Sequence, residues 1–272
     1  MVKLIAFDLD GTFLDDRKHI PEENLRAIRY AAEKGAVVVP ATGRLFLGIP
    51  EELASLPFLR YYILINGAKV YDAKEDKIIS AAEIPVDTAL DLFRHGKEIG
   101  AIYDCYMDDT GYMEAPMRDA LDEYSPNKAY IAYMKSIRRP VDNISELIWD
   151  KTSVQKVQYF FKDLDERARQ LRLIPELFPG IKASSSVSMN IEMNSVNAGK
   201  GPALAALCRY LGFSPEDAVA FGDGMNDADM LSAAGLGIAM KNSDPDVLAY
   251  ADRITDADNN EAGVAKMIYK LV

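Results

Sequence analysis

Cysteine and histidine are nearly absent: the 272-residue chain holds 2 of each. Cys105 and Cys208 are too few to staple a chain of this length, so both are read as free thiols. His19 and His95 lie far apart, in no metal-ligand spacing, and take ordinary surface or core roles. No apolar run approaches the length of a membrane span, and no basic-then-apolar leader opens the chain. The expectation is a cytoplasmic protein with no membrane partner. A positive surplus is missing too. Net charge is -11 and the pI about 4.8. Such a surface repels phosphate backbones and makes nucleic acid a poor partner. A small anion stays admissible where local cations and a metal offset that field. Internal repeats and low-complexity segments are also absent.

What is present is an ordinary balance of 49% apolar and 27% charged residues, enough for one large domain or two modest ones. The first part alternates strand and helix. "VKLIAFDL" reads as a buried parallel strand, "PEENLRAIRYAAEKG" as a helix burying Leu25, Ile28 and Ala32, and "AVVVPATG" and "YYILINGA" as further core strands. The last part resumes that rhythm: a helix from "GKGPALAALCRYLG", a strand in "AVAFG", a short helix in "NDADMLSAAG", a strand in "LGIAM", a capped helix in "NSDPDVLAYA" and a closing helix. Repeated βα units imply an α/β fold, a Rossmann-like doubly wound parallel sheet with helices on both faces. Residues 84–190 differ in texture. "AIYDCYMDDTGYME" reads as a hairpin, flanked by helices and by strands "VQKVQYFF" and "SVSMNIEMN". The expectation is an α+β unit over 84–190 inserted into an α/β core made of 1–83 and 191–272.

Each core strand breaks into polar chemistry at its C-terminal end, at Asp8, Thr42, Asn66 and Asp223. Ligands of open parallel sheets bind beyond those ends, so Asp8, Asp10, Asp223 and Asp227 are expected to converge. Crowded carboxylates with few nearby bases call for a hard cation, and Mg2+ suits oxygen ligands. A metal so held is often shared with a phosphate. Thr42, Lys200 at a helix start, Asn226 and the backbone N–H groups near Leu9 and Asp10 supply the donors. Lys200 also looks like a phosphate-loop lysine, but Gly201 stands where Ser or Thr would follow, so nucleotide binding is set aside.

The motifs "DLDGT" (8–12), "ATGR" (41–44), "INGA" (65–68), "GKG" (199–201) and "GDGMND" (222–227) together resemble the haloacid dehalogenase-like phosphatases. More narrowly, the chain resembles their Cof-type subfamily (subfamily IIB), whose large α/β cap is inserted between the second and third motifs. The resemblance implies Asp8 as nucleophile, forming an aspartyl-phosphate, and Asp10 as the acid and then the base. It implies Mg2+ held by Asp8, the backbone carbonyl of Asp10 and Asp223, with Asp227 as support or outer-shell ligand. Leu9, Thr42, Lys200 and Asn226 would hold the phosphate, and Gly43, Arg44 and Asn66 are candidates for substrate contact or support. Arg44 is equally readable as a surface residue and Asn66 as a turn former. "NAGKG" departs from the usual lead into the lysine, which puts only local packing in question.

The implied activity is a Mg2+-dependent phosphatase of small phosphorylated metabolites, sugar phosphates foremost. A hexose phosphomutase is the alternative. A phospho-aspartate receiver is a third class, but receivers lack the Asp-x-Asp pair and the insertion. The insert carries 14 Lys plus Arg against 17 Asp plus Glu, so no anion funnel marks its substrate. Its tyrosines (103, 106, 112, 130, 133) read as core and rim packing, and Cys105 as a small packed hydrophobe. Monomer and homodimer are both compatible with the sequence.

Overall fold

The computed structural model describes residues 2–125 and 127–272. The chain forms two compact units, Met1–Ala81 with Ala198–Val272, and Ala82–Asn197. In the first, five parallel strands run in the spatial order Arg253–Ile254, Leu236–Ala239, Ala218–Gly222, Leu4–Phe7, Val37–Pro40. Strands covered on both faces must be apolar at every position, and Leu4–Phe7 and Ala218–Gly222 are wholly buried. One face carries Leu4, Ala6, Val39, Ala218 and Ala220 against Leu204, Leu207, Met230 and Leu231. The alternate positions face the other way, the side where helix Glu22–Glu33 packs on strand Val37–Pro40 and on helix Gly263–Leu271. Helix Lys200–Leu211 stops at Gly212, whose φ of 73° makes the left-handed cap.

Three expectations need correction. Helix Glu22–Glu33 buries Asn24, Ala27, Ile28 and Ala31, while Leu25 and Ala32 stay half-exposed. Its buried edge is turned toward a loop: the Asn24 amide donates to Phe13 O (2.9 Å) and accepts from Ala265 N–H (3.0 Å). Pro245–Tyr250 is a 3-10 segment, not an α-helix. Strand Tyr61–Leu64 does not join the parallel ladder. It pairs antiparallel with Lys69–Asp72, which pairs in turn with Lys77–Ala81. A parallel bridge, Ala41 to Ile63, and the bond from Thr42 N–H to Ile63 O (2.9 Å) tie this small sheet to the large one. Apolar patterning identifies a strand but says nothing of its partner.

The turn after Tyr61–Leu64 is left-handed at Ile65, Asn66 and Gly67 (φ 55°, 54° and 85°). A Cβ on Gly67 would stand 2.1 Å from the Gly199 carbonyl oxygen, so glycine is required both for φ and for the close approach. Gly67→Ala is expected to cost about 2–4 kcal/mol through strain and overpacking, seen as a lower melting temperature. An unchanged melting temperature would mean that the two segments separate freely.

The second unit is a six-stranded sheet in the order Ile181–Ser184, Asn190–Ser195, Lys156–Phe160, Ile102–Met107, Thr110–Glu114, Arg138–Val141. The hairpin turn is Asp108-Asp109, both at positive φ, as a two-residue primed turn requires. One face buries Tyr103, Cys105, Val157, Tyr159, Ile191 and Met193 with Leu92, Phe93 and Ile174 of two helices, Val86–Glu98 and Leu164–Leu177. The other face buries charge. Asp104 is paired with Arg138 and accepts from Gln158 (3.1 Å), and Lys156 meets Glu192 at 3.3 Å. The sequence reading returned the chain to the core at 191. That position lies inside strand Asn190–Ser195, which pairs with Lys156–Phe160 and Ile181–Ser184, and the unit ends only at Asn197. Both cysteines are buried and free. His19 is exposed, and His95 sits 2.9 Å from the Gln170 side chain.

Candidate active site

Asp8 is the first residue past strand Leu4–Phe7, its N–H still donating to Phe221 O at 3.0 Å. Asp223 follows strand Ala218–Gly222, and Asp227 closes the 3-10 turn after it. Each of these three carboxylates offers an oxygen within 4.8 Å of the others. Lys200 opens helix Lys200–Leu211, fully buried, with Nζ donating to Asp8 Oδ1 (2.6 Å) and Asp227 Oδ1 (2.5 Å). The second oxygen of Asp227 accepts from the N–H groups of Asp223 (2.9 Å) and Gly224 (3.1 Å). Thr12 donates to Asp223 Oδ1 at 2.7 Å. Gly201 is glycine because a Cβ there would stand 2.3 Å from the Asp229 carbonyl oxygen, so no hydroxyl follows Lys200.

Burial pushes Asp8 well above the usual carboxylate range. Lys200 opposes the shift, and Asp227, Asp223 and Asp10 reinforce it. Burial, then repulsion from Asp227, lifts Asp223 to about 7. These carboxylates resist ionising for want of positive charge, and a hard divalent cation fits that donor set. The sign of the pH dependence follows. A carboxyl whose folded pKa lies above its unfolded value contributes stability at low pH and loses it as pH rises, here from about 4 to about 7. Added Mg2+ is therefore expected to raise the melting temperature more at about pH 8 than at about pH 5. Equal shifts at both would mean that the carboxylates do not hold the ion.

A second cluster surrounds Asp10. Arg44 clamps its carboxylate with Nε to Oδ2 (2.8 Å) and Nη2 to Oδ1 (2.7 Å), and Lys18 Nζ stands 2.9 Å from Oδ1. Burial acts to raise the Asp10 pKa, but the bonds and charges of Arg44 and Lys18 outweigh it and bring it to about 2. Arg44 is itself held, donating from Nη1 to Gly48 O (2.9 Å) and from its N–H to Thr42 Oγ1 (3.2 Å). Asn226 donates to Asn66 Oδ1 at 3.4 Å, and a Cβ on Gly43 would stand 2.9 Å from that oxygen.

With two such clusters at one sheet edge, the comparisons with known proteins are decisive. The haloacid dehalogenase-like hydrolase family model matches residues 5–268. The chain belongs to that family. It is 31% identical, over 98% of its length and 94% of the relative's, to the 5-amino-6-(5-phospho-D-ribitylamino)uracil phosphatase YcsE of Bacillus subtilis. It is 27% identical to the pyridoxal phosphate phosphatase YbhA of Escherichia coli, over 98% and 97% of the two chains. Among solved structures, a haloacid dehalogenase-like hydrolase from B. subtilis superposes with a TM-score of 0.84 at 30% identity, covering 99% of this chain and 100% of that one. With its unit inserted between "INGA" and "GKG", this hydrolase is a Cof-type, subclass IIB member.

In this hydrolase the motif residues fall into three contact groups: Asp8, Asp223, Asp227 and Lys200; Asp10, Arg44 and Thr42; and Asn66, Asn226 and Gly43. The Asp10 side chain is outside the three-carboxylate set, which leaves its backbone carbonyl as the group it could offer a metal. Lys200, expected on a phosphate, here balances two carboxylates. Asp227 has both oxygens engaged. The Leu9 carbonyl accepts from Phe13 (3.1 Å) and Leu14 (2.8 Å) and closes the loop beyond Asp8. Sequence reasoning missed the role of Thr12, although it lies inside "DLDGT". It missed Lys18 altogether, and with it the asparagines bracing the loop: Asn242 donates to Gly11 O (2.8 Å) and Asn259 to Leu14 O (3.0 Å). Nothing in the local sequence around Lys18 signals its approach to Asp10.

Proposed function

We propose that the protein is a Mg2+-dependent, cytoplasmic phosphatase of small phosphorylated metabolites, sugar phosphates among them, working through an aspartyl-phosphate on Asp8. Family membership makes it a phosphoric monoester hydrolase. The observation carrying the finer reading is the separation of two carboxylates two residues apart. Asp8 lies buried against Lys200 among carboxylates, and Asp10 is ionised under Arg44 and Lys18. Like carboxylates in unlike surroundings take unlike roles.

An oxygen of Asp8 attacks phosphorus, the ester P–O bond breaks, and the leaving oxygen takes the proton that Asp10, ionised at rest under Arg44 and Lys18, must first take up from solvent as the substrate binds. Asp10, ionised again, then takes a proton from water. The water oxygen attacks the aspartyl-phosphate, which releases inorganic phosphate and restores Asp8. Lys200 holds Asp8 in place and balances its charge. Thr42 and Asn226 supply donors for the phosphate oxygens. Asp8, Asp223 and the Asp10 carbonyl are the groups that would hold Mg2+, which when bound neutralises carboxylate and phosphate charge.

The relatives' names give unlike leaving groups, a ribitylaminouracil and pyridoxal, so the shared core does not set the substrate. We assign that choice to the inserted unit together with residues of this chain beside Asp10. Among the described residues no helix is long and apolar enough to cross a membrane. The test is a panel of phosphorylated metabolites assayed for inorganic phosphate. Release with Mg2+ and none in excess chelator is expected, with Ca2+ a poor substitute because it takes more oxygen ligands at longer distances. Phosphoryl transfer to a hexose phosphate without phosphate release would establish a mutase instead.

A further inference from the structure

One carboxylate, Asp10, lies under two full cations. Arg44 alone satisfies both of its oxygens in a bidentate clamp, which suffices to orient it. Lys18, at 2.9 Å, is therefore surplus to positioning. It is also a poor stability device: its side chain is 56% exposed and that of Asp10 38%, and pairs so exposed contribute little.

The chain nonetheless goes to some length to hold Lys18 there. Its φ is 66°, a left-handed conformation that a long side chain rarely adopts. The turn is closed by Lys18 N–H to Asp15 O (2.9 Å) and Asp15 N–H to His19 O (2.9 Å). The Asp15 carboxylate accepts from the N–H groups of Arg17 (2.9 Å) and His19 (2.8 Å). Behind the turn, Asn259 and Asn260 donate to the two oxygens of Asp16 (3.1 and 3.2 Å). Backbone strain so braced is a feature of functional sites.

The charges divide accordingly. Around Asp8, three carboxylates face one lysine, a deficit of two positive charges that a divalent cation cancels. Around Asp10, Arg44 and Lys18 face one carboxylate directly, with Asp16 a further carboxylate near Lys18, and Lys18 is the exposed cation beside the acid that serves the leaving group. We propose that Lys18 binds a second anionic group on the leaving side of the substrate. The favoured substrates are then phosphomonoesters whose alcohol carries an anion close to the ester oxygen. This inference rests on the phosphatase reading above.

The test compares kcat/KM for 3-phosphoglycerate, whose leaving alcohol carries a carboxylate, with that for glycerol 3-phosphate, whose leaving alcohol is neutral. Wild type, Lys18→Gln and Lys18→Arg share one inserted unit, so the change in the ratio isolates Lys18. The wild type is expected to favour 3-phosphoglycerate, Lys18→Gln to lower the ratio roughly tenfold, and Lys18→Arg to restore it. A wild-type ratio near one, or the same ratio in Lys18→Gln, overturns the inference while leaving the phosphatase reading intact. Wild type that releases no phosphate from p-nitrophenyl phosphate either would overturn both.

Discussion

Asp8→Asn is expected to lower kcat on the order of 10⁴- to 10⁶-fold, the scale seen when a covalent nucleophile is removed, without lowering the melting temperature of the metal-free protein. The amide keeps the size of the carboxylate and loses its nucleophilic charge. The stability half follows from the raised Asp8 pKa. Burial and three neighbouring carboxylates disfavour the ionised form in the folded state, so at neutral pH the charge works against folding. Lys200 keeps Asp227 at 2.5 Å when Asp8 is neutral. The Asn variant should thus melt at or above the wild-type temperature without divalent cations, and the order should reverse once Mg2+ stabilises the wild type alone. Retention of most activity would remove Asp8 as nucleophile. A sharp fall in melting temperature would show that its ion pair outweighs the repulsion.

Lys200→Met is expected to be as damaging to activity and, unlike Asp8→Asn, to destabilise the fold. The methionine fills a similar volume but leaves Asp8 and Asp227 without the ammonium that both touch. Removing one partner of a buried pair costs about 3–5 kcal/mol. At about 2–4 °C per kcal/mol for a domain of this size, the melting temperature should fall on the order of 10 °C. Adding Asp227→Asn should recover part of the loss, because the two sites share one network and do not add. A wild-type melting temperature for Lys200→Met would mean that protons on the carboxylates replace the ammonium.

The site was legible where the chain obeys the grammar of parallel sheets. Asp8 and Asp223 end apolar runs, and Lys200 begins a helix whose glycine neighbours permit close packing. Arg44 was legible only as a choice between substrate and surface, because its partner Asp10 lies 34 residues away in a different loop. Lys18 was not legible at all: its reach depends on a left-handed φ and on Asn259, more than 240 residues downstream. The small antiparallel sheet was missed because periodicity reveals strands and not ladders. In the inserted unit, composition showed charges that nearly cancel. It did not show that Asp104 and Arg138 are buried, because that depends on helix Lys128–Ser136 packing on strand Arg138–Val141.

The strand order bears on how the protein is made. Strand Leu4–Phe7 emerges early, yet one of its two neighbours, Ala218–Gly222, is encoded beyond the whole inserted unit. At translation rates of about 5–20 residues per second, the first two strands wait on the order of 10 s with a bare, apolar edge. Ala82–Asn197 is contiguous and can fold on the ribosome during that wait. The core can close only afterwards, when Lys200 and Asp223 arrive together with the missing strand. During synthesis the hazard is therefore edge-to-edge association of the amino-terminal segment. Chaperone demand should track the length of the pause before residue 222, and slow codons inside the insert should favour aggregation.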